Sequence, residues 1–303
     1  MSVLLTVIVA SLTLALLLEA RFPLRSVAEA PLRRWFTNLS LSALSLATSL
    51  GATVGLYAAA RALLGPHVAS IELLPRIGAP AWVQWMLTFA VLDGTAYVLH
   101  RLSHSVPWLW RLHAVHHSDT EVDATTSYRH HPLESLFTAA VNVPLLLLLG
   151  APVAAVLAYT LLANVVSVFS HANVGLPMLE HALRHILVTP AFHRVHHAAD
   201  RPWTDRNFAT VFPIFDRLLG TAATLPAQVQ QSMTLGLEHF RSAPQQQLGG
   251  LLAQPFVAPG ERSQPPAQES AHGRRVYLTP DSGGRSGGGL RRVSSKNSMT
   301  TST

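Results

Sequence analysis

Sixteen histidines lie along this 303-residue chain, and three groups of them carry the spacing of ligands on helices. His100 and His104 are four apart. His113, His116 and His117 follow as His-x-x-His-His, and the same triplet recurs as His193, His196 and His197. Residues three and four apart share one face of a helix, so each group aims two or three imidazoles at a common point. A lone histidine on an apolar helix is usually just a hydrogen-bonded core residue; the repetition sets these apart. Eight imidazoles exceed what one tetrahedral or octahedral ion takes, and they suit two ions with positions left open. His131, just before Pro132, and His171, at the end of a long apolar stretch, complete the expected ligand set. Imidazole nitrogen serves Fe, Zn, Cu and Ni alike, so the donor type does not name the metal. With no cysteine in the chain, thiolate sites and disulfides are excluded.

The elements that must hold these rings read as membrane helices. Hydrophobic residues make up 49% of the chain and charged ones 13%, about half the charge of an average soluble domain. Residues 1–18, 36–60 and 135–179 contain no Asp, Glu, Lys or Arg, and crossing a hydrocarbon core takes ~20 apolar residues. Spans are expected at about Val3–Leu18, Phe36–Ala60 and Pro80–His100, with Trp82, Trp85, Trp108 and Trp110 as interfacial anchors. The run Ser135–Leu179 is too long for one crossing, and Gly150-Ala151-Pro152 splits it into a hairpin. The N-terminus lacks the basic start and cleavage site of a signal peptide, so a retained span is expected. Placing Arg21, Arg25, Arg33 and Arg34 inside returns the third span and the hairpin to the same face, which collects His100–His131, His171 and all that follows.

The expectation is therefore an all-α integral membrane bundle of about four to five spans, including one hairpin, with a cytoplasmic helical cap holding a His-rich two-metal site. Residues 1–79 form an N-terminal transmembrane region, 80–225 the catalytic domain, and 243–303, rich in Gln, Pro, Ser, Gly and Arg, a disordered tail. The membrane is the inner membrane if the source is bacterial and the endoplasmic reticulum if eukaryotic. Net charge is +6 and the isoelectric point about 10.4, yet the arginines sit in short loops and the tail. No basic stripe points to nucleic acid.

From about Leu92 to Thr221 the chain closely resembles the fatty acid hydroxylase/sterol desaturase superfamily of membrane di-iron oxidases. The matching stretches are His100-Arg101-x-x-His104, Leu109-Trp110-x-x-His113-x-x-His116-His117-Ser118, Arg129-His130-His131-Pro132-Leu133-Glu134 and His171-Ala172-Asn173. They continue with Thr189-Pro190-x-x-His193-Arg194-x-His196-His197, Asp205-x-Asn207-Phe208 and Phe215-Asp216-Arg217-x-x-Gly220-Thr221. The resemblance implies that the eight grouped histidines bind two iron ions, that His131 and His171 match further histidines of the family, and that a lipid C–H bond is hydroxylated or desaturated with O₂. Phe208-Ala209 departs from the Tyr-Gly usual there. The chain shows no dinucleotide fingerprint or flavin motif, so a separate electron donor is expected, and the resemblance implies a cytochrome b5- or ferredoxin-type protein, or a pterin.

Two other classes compete. A zinc hydrolase would carry His-Glu-x-x-His with the Glu as base, but the inner positions here are Ala114-Val115 and Arg194-Val195. A transporter or metal-binding membrane protein would hold its site near the bilayer midplane, whereas these histidines gather at a span's end. Metal-bound imidazoles usually donate their other N–H to a carboxylate or carbonyl, which makes Glu134, Asp205, Asn207 and Asp216 candidate supports. Asp93, ionisable within an apolar span, is a fifth. His181 and His185 fall on an interfacial helix at Met178–Leu187, facing lipid headgroups. His67, His239 and His272 are expected in solvent.

Overall fold

In a computed structural model, residues 2–26 and 31–258 are described, and among them the fold is all-helical. The long helices are α1 (Ser2–Arg21), α2 (Leu32–Leu64), α3 (Ala81–Ser105), α5 (Pro132–Leu149) and α6 (Val153–His171), with α4 (Pro107–His117) between α3 and α5. Short helices follow: α7 (Pro177–Leu183), α8 (Pro190–His196), α9 (Ile214–Leu218) and α10 (Leu248–Ala253). Among the described residues, four helices are long and apolar enough to cross a membrane: α1, α2, α5 and α6.

α3, expected as a third span, is not among those four. It has the length, 25 residues, but Gln84, Asp93 and the histidines at its end dilute its apolar character. Its direction still matches a return crossing. Asp93 of α3 accepts a hydrogen bond from Tyr159 of α6 at 2.9 Å, so the two helices run side by side toward their terminal histidines. α1 arrives beside α6, where Pro23 bridges Val174. α2 and α5 run away together, from Ser45, which donates to the His130 carbonyl at 2.7 Å, to Gly150, which abuts Glu72 and Pro75. The five helices therefore alternate in direction, and all the histidine-bearing ends meet at one end of the bundle.

Local signals explain the boundaries. The hairpin turns at Gly150, whose φ of +67° closes α5 in a left-handed conformation. A Cβ there would fall 2.7 Å from Pro75 Cδ, so both its backbone and its neighbours require glycine. Pro107, Pro132 and Pro190 each open a helix, where a missing N–H costs nothing. The core between α3, α6 and α8 is Leu92, Tyr159, Val166, Val188, Phe192 and Val211.

Residues beyond Ala243 do not begin a free tail. Through Ala258 the chain folds back on the bundle: Leu251 of α10 is fully buried against Leu41 and Val115, and Gln246 donates to the carbonyls of Ser118 and Phe240 at 2.8 and 2.6 Å. One apolar turn and one well-placed glutamine suffice to anchor a segment whose average composition reads as disordered. The rest of the expected tail, with His272, lies outside the described residues.

Candidate metal centre

Two groups of imidazoles meet where the helix ends converge. His100, His104, His113, His117 and His196 form one, and His116, His171, His193 and His197 the other; within each group one nitrogen per ring lies within 4.8 Å of the rest. Apart from half-buried His100, all nine are buried. The groups abut, with the rings of His117 and His197 stacked at 4.8 Å. Helices that are distant in sequence supply each group: α3, α4 and α8 the first, and α4, α6 and the α8 end the second.

In the first group the outward nitrogens are pinned. His100 Nδ1 donates to the Phe208 carbonyl and His196 Nδ1 to that of Arg206, both at 2.7 Å. His104 Nδ1 meets Asp205 at 3.1 Å and His113 Nδ1 meets Glu134 at 2.8 Å. A neutral ring that donates through Nδ1 keeps its lone pair on Nε2. The Nε2 atoms of all five rings, His117 included, are buried without a hydrogen-bond partner. Buried polar atoms are nearly always partnered, and five inward lone pairs at one point match the donor set of a metal cation.

The second group is knit through its own nitrogens. His171 Nδ1 donates to Ser167 at 2.7 Å, while its Nε2 lies 3.2 Å from His116 Nε2 and 3.0 Å from His193 Nε2. His197 Nε2 is 3.2 Å from that of His193. Four nitrogens in mutual contact also suit a bound cation.

Burial, then the like charge of neighbouring rings, holds His116, His117, His193 and His197 well below the ordinary imidazole range. Burial also pushes His196 down to about 3. Neutral rings are the form that ligates metal.

His131 is not with the others. It caps α5, its Nδ1 accepting from the Leu133 N–H at 3.2 Å, and its Nε2 meets the Leu252 carbonyl at 3.3 Å. The residue before a proline is held extended, at ψ 137° here, and that turns the ring away. The adjacent His130 occupies the expected place. It stacks on His116 at 4.5 Å and its Nδ1 lies 3.2 Å from Glu134, with which it and His113 form a third metal-competent group. Burial opposes charging His130, but the Glu134 carboxylate outweighs it and raises the ring's pKa above the ordinary value. The i, i+4 spacing of His130 and Glu134 was the available signal.

The expected supports divide in the same way. Glu134 and Asp205 touch ligand-set rings directly. Asp216 reaches them through the backbone, accepting from the N–H groups of Phe208 and Ala209 at 2.9 and 2.7 Å. Asn207, at a φ of 57°, donates to the carbonyls of Phe192 and Ala223 at 2.7 and 2.9 Å and so ties the 205–209 loop to α8. Asp93 meets Tyr159 and the Val211 N–H and no imidazole; it fastens α3 to α6. His67, His181 and His185 are exposed and outside all three groups.

A polar lock behind α4 had no signal in residue spacing or composition. Arg129, fully buried, donates to the Val115 carbonyl at 2.9 Å, Asn38 at 3.2 Å, Ser118 at 2.9 Å and Gln246 at 2.8 Å. Asp119 accepts from Arg34 at 3.1 Å and Thr126 at 2.7 Å; burial would raise its pKa, but Arg34 and Arg129 outweigh it and hold it low. Arg34 also pairs with Asp123. At the end of α1, Glu19 accepts from the N–H groups of Ala124 and Asn173, each at 2.8 Å.

A cavity of about 200 Å³ opens beside the rings, lined among others by Leu99, His100, His113, His116, Phe137 and Asn142. It lies among α3, α5 and α6, the last two of them membrane-spanning.

Residues 85–221 match the fatty acid hydroxylase family model. The chain is 34% identical over 144 residues to ornithine lipid hydroxylase OlsE of Rhizobium tropici, covering 46% of this chain and 43% of that protein. It is 32% identical over 159 residues to alkylglycerol monooxygenase of Homo sapiens, covering 52% and 34%. With very-long-chain aldehyde decarbonylase GL1-1 of Oryza sativa subsp. indica the identity is 28% over 162 residues, covering 50% and 26%. These matches span less than half the length of each relative. No solved structure matches the chain. The matched region contains every imidazole of both groups, so the similarity to the fatty acid hydroxylase family falls on the residues that build the centre.

Proposed function

We propose that this protein hydroxylates or desaturates a lipid C–H bond at a centre of two iron ions, using O₂ and electrons from a separate donor. One observation carries the reading: two adjoining groups of five and four imidazoles, nearly all buried, with inward nitrogens that have no partner or only one another. The relatives, an ornithine lipid hydroxylase and an alkylglycerol monooxygenase, favour redox chemistry on an amphiphile over hydrolysis or transport.

His100, His104, His113, His117 and His196 would hold one ion, and His116, His171, His193 and His197 the other. When bound, such a pair supplies the oxidising power against an unactivated C–H bond that no side chain has. The chain's own work is positioning. Carbonyls of Ser167, Arg206 and Phe208, with the carboxylates of Glu134 and Asp205, fix ring tautomer and orientation before any metal arrives. The α5 and α6 walls admit an acyl chain from the bilayer, and Leu99 and Phe137 flank it with apolar surface against the imidazoles. The small cavity limits water around the reacting carbon. With Arg21, Arg25, Arg33 and Arg34 following α1, the site faces the cytoplasm, where a cytochrome b5- or ferredoxin-type donor, or a pterin, would reach it.

The test is metal analysis of the purified protein together with lipid mass spectrometry of cells expressing it or its His117→Ala variant. About two irons per chain and an oxygen-dependent new lipid, lost in the variant, support the proposal. Stoichiometric zinc with oxygen-independent turnover would overturn it.

A further inference from the structure

A second cavity is larger than the one beside the imidazoles. About 780 Å³ lies on the far side of α8, lined by Leu24, Val174, Leu176, Phe192 and Leu225 and by the arginines Arg184, Arg194 and Arg217. α8 is the partition: Phe192 faces this space, while His193 faces the cavity of the metal centre. The volume is that of a site for a drug- or lipid-sized ligand.

Its charge is one-sided. Among the described residues, none of the three arginines lies within ion-pair distance of a carboxylate. The lining's one carboxylate, Glu180, is engaged at the start of α8, accepting from Thr189 Oγ1 at 2.5 Å and the Ala191 N–H at 3.3 Å. Arg217 is held by the carbonyls of Arg184 and His185, and Arg194 by Gln230 and Ala172. Two guanidiniums are thus fixed in place, and exposed Arg184 stands at the mouth. Met178, Ile186 and Leu218, each next to a lining residue, are 88%, 62% and 73% exposed. Exposed apolar side chains among cationic ones mark a surface that rests in a membrane interface.

We propose that this cavity is a second amphiphile site, separate from the metal centre, which takes one acyl chain between its apolar walls and an anionic head group on Arg184 and Arg217. Guanidinium pairs equally with carboxylate and phosphate oxygens, so a fatty acid and a phosphate-headed lipid share the required chemistry.

The test is native mass spectrometry of the full-length protein in neutral detergent, offered 1-oleoyl lysophosphatidylglycerol, 1-oleoyl lysophosphatidylcholine or oleate, with and without prior chelation. One lysophosphatidylglycerol per chain should be retained in preference to lysophosphatidylcholine, with or without metal. Arg184→Gln, at an exposed position, should cut that preference about tenfold, and Leu225→Trp, which fills the cavity, should abolish retention. Ala96→Trp, at a residue of α3 that lines the cavity beside the imidazoles, should leave it unchanged. Displacement by oleate would show that a carboxylate suffices, and its failure that a phosphate is required; either accords with the site. Equal retention of the two lysolipids by the parent, or a preference untouched by both Arg184→Gln and Leu225→Trp, would overturn it. Because retention is read without turnover, the result stands apart from the proposed oxidation.

Discussion

Glu134 holds two rings at once: one carboxylate oxygen lies 2.8 Å from His113 Nδ1 and the other 3.2 Å from His130 Nδ1. Only a carboxylate accepts from both rings without a conflict of donors. Glu134→Gln puts an amide N–H against one imidazole and leaves the backbone of α5 untouched. Metal retention should weaken about 10- to 100-fold, the usual cost of losing a partner behind a metal-bound imidazole, while helix content by circular dichroism stays constant. Unchanged retention would remove Glu134 from the site.

The adjacent histidines 130 and 131 should separate cleanly. His130→Ala removes a ring stacked on His116, so metal content or activity should fall. His131→Ala removes only the α5 cap and the contact with Leu252, so it should lower stability by about 1 kcal/mol with metal content intact. Metal per chain and thermal midpoint, measured on both variants, give the comparison.

This pair marks how far the sequence could be read. Spacing within one helix is visible in sequence, so the eight grouped histidines and the Gly150 turn stood out at once. Which way a ring turns at a helix start depends on the backbone ahead of Pro132, and the sequence favoured the wrong neighbour. The partners of His100, His171 and His196 are backbone carbonyls of Phe208, Ser167 and Arg206, which no residue type advertises. The lock around Arg129 draws on Asn38 and Gln246, more than 200 residues apart, and composition hid the second of these in a polar tail.

Truncation tests that tail. A chain ending at Ser242 loses Gln246, which satisfies buried Arg129 and Ser118, and Leu251, which covers Val115. Leaving a buried charge short of partners costs about 3–5 kcal/mol. That variant should unfold at clearly lower temperature in detergent, whereas a chain ending at Ala258 should match the full-length protein. Equal midpoints for the two truncations would show that the segment is not part of the bundle.

Acid should destabilise the metal-free protein. His196 is held at about 3 in the folded state against an ordinary 6.5, and His116, His117, His193 and His197 are lowered in the same direction. As pH falls below 6.5 the unfolded chain takes up protons that the folded chain refuses, so stability drops with falling pH. Each such ring contributes up to about 1.4 kcal/mol per pH unit in that window. After chelation the thermal midpoint should change little above about pH 7 and decline steadily as pH falls below about 6.5. A flat profile would mean that these rings are not buried and neutral.

Asp216 offers the longest test of the support network, because it touches no imidazole. Its carboxylate accepts from the Phe208 and Ala209 N–H groups and from Thr221 Oγ1 at 2.6 Å, and the Phe208 carbonyl in turn receives His100 Nδ1. Asp216→Ala leaves two buried N–H groups without an acceptor, at about 1–3 kcal/mol each, and frees the peptide that orients His100. Asp216→Asn keeps one acceptor oxygen and the shape of the side chain. If the relay runs through the backbone, Asp216→Ala should lose bound metal faster than the parent at equal temperature, and Asp216→Asn should recover much of the difference. Dissociation measured with a chromogenic chelator separates this from general unfolding, provided the thermal midpoints of the metal-free variants are compared alongside. A drop in midpoint with parent-like metal release would reduce Asp216 to an ordinary turn residue.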